Sequence, residues 1–367
     1  MNKELIQKII RCFVVTLCFI GMLTAIGMQE REVQQWGFML GLIVIFGLIL
    51  RNIWLTLFLG WTVFLFAFFK FETGMIYVTN VFFGCLLYYL VKLAFKKEHI
   101  NLFINAVLWF AVINIFYMAL QISNFDFIYK VAGENTKNII PTGFMGQVGM
   151  CGALLALCVP LLASRTSKLA IVGSLLLFIP LYICLSSISL WAAGIGLLFV
   201  LWFKLPKKIW FTIVFLIILV CIFFDLKIQH PGVSVRIALW KKVLSDCIKH
   251  PIVGWGLDSF RNITPHKNFL YRLAGCTQIV WDNPHNLIIS LFCEFGLVGI
   301  LLLIGYLRQC CIWFKNAVKE PNVIALFGFL VEVVIISQAN FIMFLPRVCI
   351  IVIIGAALFE IAVKENS

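Results

Sequence analysis

Residues 227–256 read KIQHPGVSVRIALWKKVLSDCIKHPIVGWG, and residues 282–286 read Asp282-Asn283-Pro284-His285-Asn286. Between Lys227 and His285 lies the one long stretch polar enough to sit in water. It begins where one apolar run ends and finishes where another begins. Outward from it the chain is almost entirely apolar: 63% of the 367 residues are hydrophobic and only 12% are charged. A soluble domain carries roughly 25% charged residues. The composition therefore excludes a soluble enzyme and predicts an all-α polytopic membrane protein, a single membrane domain with one long, partly helical outer loop.

A spanning helix needs about 20 mostly apolar residues. Twelve runs qualify, near 9–28, 36–50, 53–69, 75–95, 100–120, 143–163, 169–186, 188–203, 209–226, 286–307, 323–341 and 346–363. This divides the chain into nine helices over 1–226, the loop over 227–285 and three helices over 286–367. The first run follows Met-Asn-Lys-Glu without a clear small-residue cleavage site, so a retained helix is expected. Basic residues alternate across the links. Lys3, Lys8 and Arg11, Arg51, Lys92, Lys96 and Lys97, Arg165 and Lys168, Lys204, Lys207 and Lys208, and Arg308, Lys315 and Lys319 fall on one side. The positive-inside bias makes that side cytoplasmic, with both termini, and puts the long loop outside. The net charge of +13 is thereby read as topology and anionic headgroups, not as a nucleic-acid surface.

Thirteen cysteines are present, most of them inside apolar runs, where Cys behaves as a small hydrophobe. No Cys-x-x-Cys occurs, so no zinc or redox motif is expected. Cys247 and Cys276 share the outer loop, where pairing in an oxidising space is chemically open.

Within the loop, Val235–Lys249 has helical spacing. Trp240, Val243, Leu244, Cys247 and Ile248 fall on one face, which predicts an amphipathic helix able to lie on a bilayer surface. Arg236 stands one turn before Trp240. Its guanidinium suits a lipid phosphate or diphosphate and equally suits ordinary headgroups. Pro251, Gly254 and Gly256 end the helix in a turn. Asn283 has the chemistry of an N-cap and Pro284 suits a first helical position. Free N–H groups would then make an anion site beside His285. His285 suits a general base, a cationic phosphate contact or a simple capping role. Glu294 lies roughly 13 Å further along that helix, where an ionisable residue is either a site residue or the partner of a neighbouring polar group. Glu332 is the other acid inside an apolar run.

Three blocks now stand in order: Val235-Arg236-x-x-x-Trp240; His250-Pro251-x-x-Gly254-x-Gly256-x-x-x-Phe260; and His285-Asn286-Leu287 followed by Glu294-x-Gly296-x-x-Gly299. Arg236 precedes His285 by 49 residues. Upstream, Gly143-Phe144 and Pro160 frame a central apolar run. Over about residues 140–305 this arrangement resembles the O-antigen ligase and polymerase superfamily. The resemblance implies a glycosyltransferase of the bacterial inner membrane. Such an enzyme takes glycan from undecaprenyl diphosphate on the periplasmic face and transfers it to a hydroxyl of lipid A core or of another glycan. By the same resemblance, Arg236 binds the donor diphosphate and His285 activates the acceptor hydroxyl or positions phosphate. Arg236 and His285 are then the catalytic candidates, and Arg261, Arg272, Trp240, Asn286 and Glu294 the substrate-binding ones. Diphosphate is already a good leaving group, so cations and positioning suffice; no metal, cofactor, nucleotide sugar or nucleic acid is expected.

The chain departs from the superfamily pattern in one place. Within Leu185-Ser186-Ser187-Ile188-Ser189, Ile188 stands where the resemblance leads one to expect an Arg, and Arg261, Arg272 and Arg347 are the cations available to replace it. Ligase and polymerase share these motifs and differ in acceptor. The competing class is a twelve-helix transporter, which would be expected to show midplane ionisable residues and related halves; here Glu332 stands nearly alone and no repeat is visible.

Overall fold

The computed structural model describes residues 54, 57–58, 61–62, 65, 74–123, 125–126, 141–227, 233–257, 259–260, 284–339 and 346–364. Among these the regular structure is helical and no strand occurs. The helices are α1 (Gly74–Ala94), α2 (Ile100–Ile122), α3 (Val148–Ala163), α4 (Lys168–Leu176), α5 (Phe178–Ile183), α6 (Ser187–Lys204), α7 (Lys207–Lys227), α8 (Val233–Cys247), α9 (Leu287–Ala317), α10 (Pro321–Ile336) and α11 (Pro346–Lys364). The expected runs 9–28 and 36–50, and most of 53–69, lie outside the described residues. Three helical stretches, Lys97–Ile122, Ser187–Lys204 and Leu287–Ala317, are long and apolar enough to cross a membrane. The apolar helices Val148–Ala163 and Pro321–Ile336 are shorter.

Three expectations change in the structure. The run 169–186 is not one helix but α4 and α5, parted at Leu177. Pro180 cannot donate to the Leu176 carbonyl, and its ring crowds that carbonyl. The run 143–163 begins as a 3₁₀ turn, Gly143–Met145, and the α-helix starts only at Val148. Gly146, with φ of 71°, reverses the chain between them. The run 286–307 extends to Ala317.

The chain clusters into two compact units, Met1–Ala94 with His230–Trp313 and Ser337–Phe341, and Phe95–Gln229 with Phe314–Ile336 and Ile342–Ser367. In the second unit α3, α6 and α10 form the centre. Helix α3 is buried on nearly every face from Cys151 to Leu161, as expected of a helix that is apolar all round. Small residues allow the close approach: a Cβ on Gly152 would sit 3.0 Å from the Ser186 side chain, and one on Gly328 would sit 3.1 Å from Pro160. Phe314 and Phe327 stack at 4.3 Å, and Phe199 lies 5.5 Å from each. Glu332 is fully buried beside Gly196, and neither carboxylate oxygen has a hydrogen-bond partner.

The entry to α3 is tied to α2 by side chains that replace missing backbone bonds. Gln121 Oε1 accepts the N–H groups of Thr142 (3.0 Å) and Gly143 (2.8 Å), and Asn114 Oδ1 accepts that of Phe144 (2.9 Å). Gln121 Nε2 and the Tyr117 hydroxyl both donate to Asp126. The Gly143-Phe144 stretch is therefore a satisfied structural corner. At the start of α6, Ser186 and Ser189 hydroxyls bond to each other at 2.9 Å, on either side of Ile188.

Candidate functional site

The site is built in the first unit, on α8, the Pro251–Gly256 turn and the start of α9. Helix α8 buries Leu239, Val243 and Cys247, spaced four residues apart, against Phe260, Ile289 and Cys293. This corrects the expected apolar face. Leu244 is 39% exposed and Ile248 68%, because the helix ends at Cys247 and the stripe turns toward Leu239. Thus α8 is docked on α9 along this face. Cys247 and Cys293 are buried in the same apolar cluster; Cys276 lies outside the described residues.

On the same helix Arg236 and Trp240 stand one turn apart. The Trp240 indole N–H donates to the Pro284 carbonyl at 2.7 Å. That bond pins the residue next to His285 against α8, about 6 Å along the helix from Arg236. Arg236 is half-buried and its Nε has no hydrogen-bond partner. Burial pulls the guanidinium below its ordinary pKa, yet an arginine stays protonated. A desolvated cation with an unused donor is the expected signature of an anion site.

His285 has a φ of 51°. A non-glycine residue in this left-handed region is strained by about 1–3 kcal/mol, and such strain concentrates at functional positions. The turn also overrides the capping expected from sequence. Pro284 is not helical; α9 starts at Leu287, and Asn286 is its N-cap, with Oδ1 accepting the Ile289 N–H at 3.0 Å. The Leu287 N–H is taken by the Ser337 carbonyl at 2.8 Å, and Asn286 Nδ2 donates to the Gln338 carbonyl at 3.1 Å. The expected open anion nest at this helix end is largely closed, because its N–H groups already have partners. Among the described residues, the positive charge next to the Trp240–Pro284 bond is that of Arg236.

Glu294, 4% exposed, lies two residues before a break in α9. Gly296 has φ 64° and ψ −160°, a conformation essentially restricted to glycine. The Pro251–Gly256 turn fills the break. Trp255 N–H donates to the Cys293 carbonyl (2.7 Å), Leu297 N–H to Pro251 (2.8 Å), and the Trp61 indole to the Phe295 carbonyl (3.1 Å). A Cβ on Gly254 would lie 2.7 Å from the Cys293 oxygen. The His250-Pro251-x-x-Gly254-x-Gly256 and Glu294-x-Gly296 blocks are thus two halves of one joint. Each supplies the backbone groups that the other lacks, as a broken helix in an apolar setting requires. Phe58 stacks on Phe295 at 5.2 Å and closes the joint on its apolar side.

Residues 150–304, which hold α8, the joint and the first half of α9, match the family model described as O-antigen ligase. The similarity to that family is confined to this span, which is less than half of the chain. The matched span coincides with the segment that carries the motif resemblance, and three of the described helical stretches are long and apolar enough to cross a membrane. No curated protein matches the chain.

Within the matched span Arg236 and Trp240 stand on α8, the Trp240–Pro284 bond ties α8 to the residue before His285, and Asn286 heads α9 with Glu294 two turns further along. Arg261 and Arg272 lie outside the described residues. Ile188 and Arg347 fall in the first turns of α6 and α11, in the second unit. Sequence reasoning missed Ser290, Ser337 and Gln338. The spacing Asn286, Ser290, Glu294 at i, i+4 and i+8 was a usable signal for Ser290. Nothing local marks Ser337 or Gln338, whose role comes from a contact between residues 50 apart in the chain.

Proposed function

We propose that the protein is an O-antigen ligase-like glycosyltransferase of the bacterial inner membrane. It moves a glycan from undecaprenyl diphosphate to an acceptor hydroxyl on the periplasmic face. Both termini lie in the cytoplasm, about twelve helices span the bilayer, and residues 227–285 lie outside. The observation that supports this reading is the Trp240–Pro284 bond, which holds the residue before His285 against α8, on which the desolvated Arg236 lies one turn from Trp240.

Arg236 neutralises the donor diphosphate, in place and without reorganisation. The acceptor oxygen attacks the anomeric carbon, and the bond from that carbon to the diphosphate oxygen breaks. Neutral His285 accepts the acceptor's proton, since imidazole titrates near neutral pH. Undecaprenyl diphosphate leaves with the bonding electron pair. This chemistry calls for no metal ion. Lipid A core as acceptor makes the protein a ligase; a second lipid-linked glycan makes it a polymerase. A transporter is disfavoured by the Arg236–His285 pairing, which a transport path does not require.

Arg236→Ala and His285→Ala are each expected to abolish transfer while leaving membrane insertion and expression unchanged. Membranes holding either variant would be supplied with lipid-linked glycan and assayed for transferred product. Wild-type product levels with His285→Ala would defeat the mechanism.

A further inference from the structure

Two buried hydroxyls beside His285 have no hydrogen-bond partner: Ser290 Oγ, 3% exposed, and Ser337 Oγ, fully buried. Folded proteins rarely leave such groups unsatisfied. The two belong to one neighbourhood. The Ser337 carbonyl accepts the Leu287 N–H at 2.8 Å, and Ser290 follows Leu287 by one turn of α9. Asn286 reaches the Gln338 carbonyl at 3.1 Å and closes the same corner. Along α9, Asn286, Ser290 and Glu294 form one polar stripe in an otherwise apolar helix, and the Ser337–Ala339 turn covers its upper end.

The chemistry of this wall differs from that of α8. Arg236 offers a cation with an unused N–H donor. The α9 stripe offers two hydroxyls, an amide and a carboxyl group, and no cation. A carboxylate repels phosphate, whereas hydroxyls both donate and accept, which matches the hydroxyls of a neutral sugar.

We propose that Ser290 and Ser337 bind hydroxyls of the acceptor glycan, so that the α9 wall holds the acceptor while α8 holds the donor diphosphate. The inference rests on the glycan-transfer reading and assigns its two substrates to two walls. The Ser337–Ala339 turn thereby becomes part of the binding site.

The test uses the full-length protein in membranes. Donor is undecaprenyl-diphosphate-linked glycan. Acceptor is either lipid A core or a labelled, diphosphate-free glycan, which accepts but cannot donate. Each substrate is varied with the other held saturating. With the acceptor that the wild type uses, Ser290→Ala and Ser337→Ala should each raise the half-saturating acceptor concentration about 3- to 10-fold, the effect of one neutral hydrogen bond. The half-saturating donor concentration should stay within about twofold, which also shows that the variants are folded. Ser337→Thr, which keeps the hydroxyl, should restore acceptor use. A rise confined to the donor, or no change in either constant, overturns the inference and leaves glycan transfer standing. A wild-type protein that transfers to neither acceptor overturns both.

Discussion

Gly296→Ala tests whether the joint in α9 holds the site together. The glycine has φ 64° and ψ −160°, a region that costs other residues about 1–3 kcal/mol. A Cβ there would also lie 2.5 Å from the Gly254 nitrogen and closer still to the Ile252 carbonyl. Those are backbone atoms that cannot rotate away, so the Pro251–Gly256 turn must withdraw. Withdrawal strands the Leu297 N–H, now 2.8 Å from the Pro251 oxygen, and the Cys293 carbonyl, now 2.7 Å from the Trp255 nitrogen. Each stranded buried group costs about 1–3 kcal/mol. The total is roughly 3–9 kcal/mol, a large share of the 5–15 kcal/mol typical of a folded protein. Heating the purified protein in detergent and following the monodisperse fraction should show Tm lower by at least about 5 °C, with transfer activity lost in parallel. Gly173→Ala is the control. Its Cβ would meet only the movable end of Leu162, at 3.1 Å, and alanine favours the helix, so Tm should hold or rise slightly. A Gly296→Ala protein that melts with the wild type and stays active would refute the joint as a requirement of the fold.

Trp240→Phe keeps the ring but removes the donor to Pro284, at a cost of about 1 kcal/mol; transfer should slow while expression is unchanged, and a product time course checks it. Asp246 receives Lys242 at 2.9 Å and Lys249 at 3.3 Å. Burial alone would raise its pKa, but the two lysines' hydrogen bonds and charges outweigh burial and hold it below the ordinary carboxylate value. A depressed native pKa adds stability above the unfolded value near 3.9 that is lost as pH falls through the native one. Melting curves from neutral pH down to about pH 3 should therefore show a smaller acid loss for Asp246→Asn than for the wild type. Chelation with EDTA should leave the rate of glycan transfer unchanged, and an EDTA-sensitive rate restored by a divalent ion would contradict the metal-free mechanism.

The helical class was legible because lipid tolerates few alternatives. Long apolar runs bounded by basic links fixed most of the described helices to within a few residues. Where they failed, the cause was local backbone chemistry: Pro180 divides one run, and Gly146 delays another. The proposed pairing of Arg236 with His285 comes only from motif order, since no propensity links residues 49 apart. Gly254 and Gly256 read in the sequence as a simple turn, and Gly296 as a position in a motif block. In the structure they are one interlocked feature, because a helix break and a turn are incomplete until they meet. The N-cap was misplaced by three residues. Asn283-Pro284 has the right local chemistry, but the left-handed turn at His285 and the Ser337 carbonyl select Asn286 instead. Ser337 was invisible for the same reason: its importance comes from tertiary contact, not from its neighbours in sequence.

The bonds from Ser337 and Gln338 to the head of α9 also bear on how the protein is made. A chain emerges from the ribosome N-terminus first, at about 5–20 residues per second. Arg236 is synthesised 101 residues before Ser337, so roughly 5–20 s pass before the carbonyl that takes the Leu287 N–H exists. The α9 joint is available earlier, since Gly296 follows Arg236 by only 60 residues. The nascent chain thus carries Arg236 through an interval in which the head of α9, next to His285, is still open.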